Sequence, residues 1–291
     1  MKSRPVLRVV FDTNVFTLAS FPLLEKSAMR ARCRERRIVP IYGHVFLEET
    51  LRAYAQTDKR ELLVRQWLPF IGETVDRFPD DFIGIWHREL VQGCGIKTNI
   101  WMRKRKQFKL VSGIPKIPLD GTWKAWDRAQ PQIKIEEAKR VAQREVSKDV
   151  RLEFGAWRKM ARYRPRKHGT GWFSEYSAQQ IDFAGKQFLP AIVACVRPNA
   201  VADRWAKTKW QYPYFTTYVV NMLYIAHYAM TKQNAPIDLN AQADLNLMTH
   251  LLHADAVVSN ETGFFKTAFN ELWRPQNKQL FTTEQFCDLL E

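Results

Sequence analysis

Two short apolar runs, each ending in acidic and amide side chains, lie at opposite ends of this chain and constrain its fold more than anything between them. The first is Val9-Val10-Phe11-Asp12-Thr13-Asn14, in an apolar stretch that begins at Val6. The second is Ala256-Val257-Val258-Ser259-Asn260-Glu261, preceded by Asp244-Leu245-Asn246-Leu247-Met248. Short Val-rich runs of this kind read as strands buried on both faces of a parallel sheet. Polar residues at their C-terminal ends fall on the sheet edge where ligands bind in open α/β folds. Carboxylates gathered there, with no Cys or His cluster, suit a hard, oxygen-preferring cation such as Mg²⁺ or Mn²⁺.

The intervening pattern supports that architecture. A helix is expected over Leu18 to Arg37, a strand over Ile38 to Tyr42, and a helix over His44 to Tyr54 that carries Glu48 and Glu49. Further helices are expected over Glu61 to Arg77, Asp81 to Val91, Ile135 to Tyr163, Ser177 to Val196 and Pro213 to Met230. The last part reads as helix Ala241 to His253, strand Ala256 to Val258, helix Thr262 to Leu272 and strand Gln279 to Phe281. Thr282-Thr283-Glu284-Gln285 then gives a capping-box start to a final helix. Strands alternating with helices at both ends predict the α/β class, with a central parallel sheet flanked by helices. The expected division is a core from residues 1–95 and 205–291, with residues 96–204 as a basic, mainly helical insertion.

Charge is concentrated in that insertion. The chain carries a net +15, with a pI near 9.8. From Lys97 to Lys167 there are 21 Lys and Arg against 7 Asp and Glu, whereas the rest of the chain is nearly balanced, 24 against 23. A basic block in a balanced protein predicts a polyanionic partner, nucleic acid first. The candidate phosphate contacts are Arg103, Lys104, Arg105, Lys106, Lys109, Arg162, Arg164, Arg166 and Lys167. Interleaved Trp101, Trp123, Trp126, Trp157 and Trp172 either stack on unpaired bases or form the small core of the insertion.

Several function classes lack support. There is no Gly-x-x-x-x-Gly-Lys-Ser/Thr or Gly-x-Gly-x-x-Gly motif for nucleotide phosphates. Cys33, Cys94, Cys195 and Cys287 form no Cys-x-x-Cys pair, and His250-x-x-His253 lacks zinc-protease spacing. The apolar run from Tyr212 to Met230 is interrupted by Thr216, Thr217, Asn221 and His227, so it reads as a buried helix and not a membrane span. Scattered cysteines and an N-terminus that runs straight into a strand fit a cytoplasmic protein with no membrane partner.

The acids define the chemistry. Asp12 stands at a strand end, Asp244 in the first turn of a helix, and Glu261 follows a strand 17 residues later. The intervening helix and returning strand bring Asp244 and Glu261 toward the edge that holds Asp12. Like charges so placed repel, and a divalent cation supplies the counter-charge.

This arrangement resembles the PIN-domain nuclease family. The family's opening Asp-x-Asn/Ser matches Asp12-Thr13-Asn14, and its helical Glu falls in Phe46-Leu47-Glu48-Glu49-Thr50-Leu51. Its helix-opening Asp matches Asp244, and its closing Thr/Ser-x-Asp matches Ser259-Asn260-Glu261. Leu280 to Phe286 is similar to the family's last strand and helix. The likeness spans residues 5–55 and 236–291. Either Glu48 or Glu49 is the second acid, and a Leu two residues before the Glu in the family phrase favours Glu49. Glu261 departs from the usual Asp, and the segment between Glu49 and Asp244 is about four times that of compact members.

The resemblance implies a metal-dependent endoribonuclease, with RNA favoured over DNA. Asp12, Asp244, Glu261 and Glu49 or Glu48 would hold Mg²⁺ or Mn²⁺, with Asn14, Ser259 and Asp238 as auxiliary groups. Two alternatives stay open. One is a nucleic-acid-binding protein without catalysis on a degenerate nuclease fold. The other is a basic insertion that docks an acidic protein, such as an inhibitor or antitoxin-like partner. If Arg103, Lys104, Arg105 and Lys106 all meet phosphate, replacing the four by Ala flattens the log K against log salt slope by roughly three to four, at about 0.7–0.9 per contact. A salt titration on one labelled oligonucleotide measures this, and an unchanged slope assigns the cluster to solvent or protein contact.

Overall fold

The computed structural model describes residues 6–53, 57–107, 171–231 and 240–291. The helix expected over Ile135 to Tyr163 lies outside these residues, as do Lys109, Arg162, Arg164, Arg166, Lys167 and Asp238. The described residues cluster into two compact units. The first holds 6–53, 57–81, 100–107 and 250–291; the second holds 82–99, 171–231 and 240–249. This division falls at different places from the expected 1–95, 96–204 and 205–291.

The first unit is built on a four-stranded, all-parallel sheet: β1 (Leu7–Phe11), β2 (Ile38–Ile41), β3 (Ala256–Val258) and β4 (Gln279–Phe281), in the order β2-β1-β3-β4. Val9, Val10 and Phe11 and all of β3 are fully buried, as their unbroken apolar sequence requires. β4, at the edge, is the more exposed strand. An aromatic cluster of Phe16, Phe21, Tyr42, Phe46, Trp67 and Phe70 fills the core beside β1 and β2, with ring centroids 4.9–6.5 Å apart. The final helix, Thr283–Leu290, carries the expected capping box and sets Phe286 edge-on to Phe11 at 5.4 Å.

The region read as one helix over Leu18 to Arg37 is two, Phe21–Lys26 and Met29–Arg34. Ser27 makes the break. Its backbone is extended, its hydroxyl donates to the Leu24 carbonyl at 2.6 Å, and the same oxygen accepts the Met29 N–H at 3.3 Å. A serine that bonds the backbone this way competes with the helix ladder.

The second unit is helical: Gly171–Ile192, Pro198–Lys207, Pro213–Thr231 and Ala241–Thr249, with Phe82–Trp86 and the π-helical turn His87–Val91. Its polar core explains why residues 205–231 and 240–249 belong here. Glu89 is fully buried and accepts the Tyr214 and Phe215 N–H groups at 2.9 and 2.8 Å, satisfying donors that open the Pro213–Thr231 helix. Burial raises its pKa to about 7. Asn221 donates to the Leu245 carbonyl and the Thr249 hydroxyl, tying two helices together. Pro198–Lys207, which periodicity did not mark, packs Trp205 directly over Gly185, where a Cβ would lie 2.0 Å from the ring. No helix among the described residues is long and apolar enough to cross a membrane, and the four cysteines are free thiols.

The helix His44–Arg52, which carries Glu48 and Glu49, is seated by close packing. A Cβ at Gly43, its N-cap, would lie 2.5 Å from Nε2 of His250, whose ring is buried. Gly43→Ala therefore lowers stability by about 1–3 kcal/mol, the usual effect of overpacking. Chemical denaturation measures it, and an unshifted midpoint would contradict the close approach.

Candidate functional site

Asp12 is the first residue beyond β1, and Ser259 the first beyond β3. From β1 the chain turns to β2 on one side of the sheet, and later returns to place β3 on the other. The gap between the C-terminal ends of β1 and β3 is therefore the topological switch point, the place where open α/β sheets bind ligands. Parallel pairing of Phe11 with Val258 puts Asp12 and Ser259 side by side, and the Asp12 N–H bonds the Val258 carbonyl at 3.0 Å.

A dense polar network fixes the Asp12 carboxylate. Its Oδ2 accepts from the Ser259 hydroxyl at 2.6 Å and from the Asn14 amide at 2.7 Å. Its Oδ1 lies 3.4 Å from the Thr13 hydroxyl, and the Thr13 backbone N–H also favours the ionised carboxylate. That hydroxyl bonds Glu49 Oε2 at 2.9 Å, so Thr13 joins the helical acid to the strand-end acid. Asn14 also donates to Ser259 Oγ at 3.1 Å and accepts the Asn260 N–H at 2.9 Å. The Asn260 side chain exchanges hydrogen bonds with Thr283 and donates to Ser20. This network locks the ends of β1 and β3 to the start of the final helix. The Glu261 N–H bonds Ser259 Oγ at 3.1 Å.

The electrostatics are those of crowded acid. Asp12 is only 6 % exposed, and burial pushes its pKa up to about 6. The Ser259 hydrogen bond works against that shift, while the charges of Glu49 and Glu261 add to it. Glu49 is half-buried and faces this cluster, whereas its neighbour Glu48 is exposed.

The network thus joins the expected Asp12, Glu49, Asn14 and Ser259, with Glu261 near enough for its charge to act on Asp12. Asp244 belongs to the second unit, half-buried in the first turn of Ala241–Thr249, where its charge suits the helix N-terminus. Among the described residues, no group of three or more His, Cys, Asp or Glu side chains is arranged to hold a metal ion. The donors that do surround Asp12 are carboxylates, hydroxyls and amides, a set whose chemistry fits Mg²⁺ or Mn²⁺ and not a softer metal.

The network also contains residues that the sequence did not mark. Thr13 occupies the variable position of Asp-x-Asn, and its partner lies 36 residues away. Asn260 and Thr283 hold the strand ends. A hydroxyl between Asp12 and Asn14 was the available signal for Thr13, and an amide between Ser259 and Glu261 that for Asn260.

Of the basic cluster, Arg103, Lys104 and Arg105 are exposed, while Lys106 bonds the Asp80 carboxylate at 2.9 Å. Lys106 therefore meets phosphate only by giving up that bond, and the expected loss of salt slope moves toward the contribution of three cations. No protein-family model, curated protein or solved structure matches this chain.

Asp12→Asn keeps the geometry, because the amide oxygen takes the place of Oδ2 and accepts both strong bonds. Asp12 binds its proton more tightly in the folded than in the unfolded chain. Wild-type stability is therefore lost as pH rises from about 4 through about 6, and that loss is absent from the variant. Without divalent cation, Asp12→Asn is expected to be more stable than wild type by roughly 1–3 kcal/mol at pH 8, converging toward pH 4. Urea denaturation in chelator at the two pH values checks this, and a variant less stable at pH 8 would overturn it.

Proposed function

We propose that this chain is a metal-dependent phosphodiesterase of PIN type, an endoribonuclease in preference to a deoxyribonuclease, with Mg²⁺ or Mn²⁺ as cofactor and nucleic acid as partner. One observation carries the reading: a buried carboxylate at the switch point of a parallel sheet, its pKa raised by burial and by two further acids. Keeping acids together in this way costs stability, and perturbed groups of this kind gather at functional sites. The strand-and-acid motifs shared with PIN nucleases, and the basic block from Lys97 to Lys167, supply the rest.

In this reading Asp12, Glu49 and Glu261 hold the cation, and the sequence resemblance adds Asp244. The chemistry such a cation supplies is Lewis acidity toward water and phosphoryl oxygen. The chain's own residues preorganise the site. Ser259 and Asn14 hold Asp12 Oδ2, which fixes the orientation of the carboxylate. Thr13 orients Glu49. Glu261, one methylene longer than the family's Asp, reaches in from an exposed position. No side chain is required as a nucleophile.

The second reading is a nucleic-acid-binding protein that does not cleave. It is favoured by the exposed Glu261 and by the lack, among the described residues, of a ready-made metal-holding group. Docking of an acidic inhibitor or antitoxin-like protein is the third.

Cleavage separates these readings. Wild type is expected to cut single-stranded RNA with Mn²⁺ or Mg²⁺ and to stop with chelator. Asp12→Asn, Glu49→Gln and Asp244→Asn each lower the rate by more than the roughly 10–100-fold typical of outer-shell changes, while Glu48→Gln leaves it intact. If wild type cuts nothing across a broad panel of substrates and metals, the binding reading replaces this one.

A further inference from the structure

The N-terminal edge of the same sheet holds a cleft that the acids at the other edge do not touch. Its volume is about 560 Å³, within the range of small-ligand sites. Arg8 enters it from the start of β1, Lys278 from the residue before β4, and Asp255 from the residue before β3. Trp101, Arg77 and His253 also line it.

The aim of Trp101 follows from backbone alternation. The Met102 N–H bonds the Phe78 carbonyl at 3.0 Å and the Asp80 N–H bonds the Ile100 carbonyl at 2.8 Å, around an antiparallel bridge between Pro79 and Trp101. Ile100 and Met102 are buried, so Trp101 between them turns the opposite way, onto the cleft. The chain then runs directly into the exposed Arg103, Lys104 and Arg105.

The cleft is positively charged despite its acids. Lys278 Nζ donates to the Ala254 carbonyl at 2.7 Å, which holds the ammonium in place while engaging one of its three donors. Asp255 Oδ2 accepts the Arg8 backbone N–H at 2.8 Å, so one of its oxygens is committed to the sheet end. Asp76 lies 4.0 Å from Arg77 Nε. Three cations thus face two carboxylates. The pKa of His253 is lowered first by burial and then by the charges of the same Lys278 and Arg8.

We propose that this cleft binds one nucleotide unit, with Trp101 stacking on the base and Arg8, Arg77 and Lys278 meeting the phosphate. Stacking beside cations is how proteins hold unpaired nucleotides without reading sequence. Arg8 and Asp12 are four residues apart, about 13 Å along the strand, so the cleft binds its ligand whether or not the chain cleaves.

A free mononucleotide and a polynucleotide share this chemistry. The test is anisotropy of a labelled single-stranded oligoribonucleotide titrated with the full chain in chelator at several salt concentrations, with AMP as competitor. The comparison is between Arg77→Gln/Lys278→Gln and a charge-matched control, Lys207→Gln/Lys266→Gln. The cleft variant is expected to flatten the log K against log salt slope by roughly 1.4, two contacts at about 0.7 for a single strand, and the control to leave it unchanged. Displacement by AMP assigns the cleft to free nucleotide as well as to polymer; slope loss without displacement assigns it to polymer alone. Crosslinking of 5-iodouridine RNA to wild type adds a readout that needs no variant, with Trp101 expected in the crosslinked peptide. A cleft variant that matches the control, or crosslinks that avoid Trp101, overturns the proposal. Cleavage with an unaltered cleft variant removes this inference alone, and cleft binding without cleavage removes the nuclease reading alone.

Discussion

The pairing of β1 with β3 is the interaction on which the first unit depends. Three register pairs, Val9 with Ala256, Val10 with Val257 and Phe11 with Val258, join segments 247 residues apart. Neither strand, at five and three residues, is stable by itself. Once paired they sit at the centre of the sheet and deliver Asp12 and Ser259 to the same level. The bond from Asn260 N–H to Asn14 spans the same seam, and the contacts between Asn260 and Thr283 tie the end of β3 to the start of the final helix.

The network at the seam has a cost built into it. Ser259 and Asn14 stabilise the ionised form of Asp12, yet burial and the two neighbouring glutamates outweigh them. The fold keeps a carboxylate where a neutral amide would sit more comfortably. Natural proteins carry such local conflicts at functional sites and offset them elsewhere, here with the aromatic core beneath β1 and β2.

What was legible in the sequence was mostly local. β3, β4 and the Thr282 capping box stand at their expected residues, because an apolar run bounded by Asp255 and Ser259, or a Thr followed three residues later by Gln, needs no distant partner to take its form. The break at Ser27 was missed although its cause is local: the 3.6 pattern continues through it, and only the side-chain bond to Leu24 reveals the stop. Glu48 and Glu49 were indistinguishable by helical phase. Their separation depends on which of them Thr13 reaches, a tertiary fact. The cleft around Trp101 was hidden for the same reason, since its residues come from well-separated parts of the chain. The grouping of residues 205–231 and 240–249 with the helical unit rests on buried polar bonds to Glu89 and Asn221, which no composition shift announces.

The long separation of β1 from β3 also shapes how the chain is made. At about 5–20 residues per second, β3 is synthesised roughly 12–50 s after β1. For that interval one edge of β1, among the most apolar segments of the chain, has no strand to pair with. Unpaired edges of this kind are templates for association with other chains. β2 arrives early and covers the other edge, and the aromatic residues that pack beside it follow within a few tens of residues. The nascent protein thus waits as a half-sheet until β3 and β4 arrive to close it.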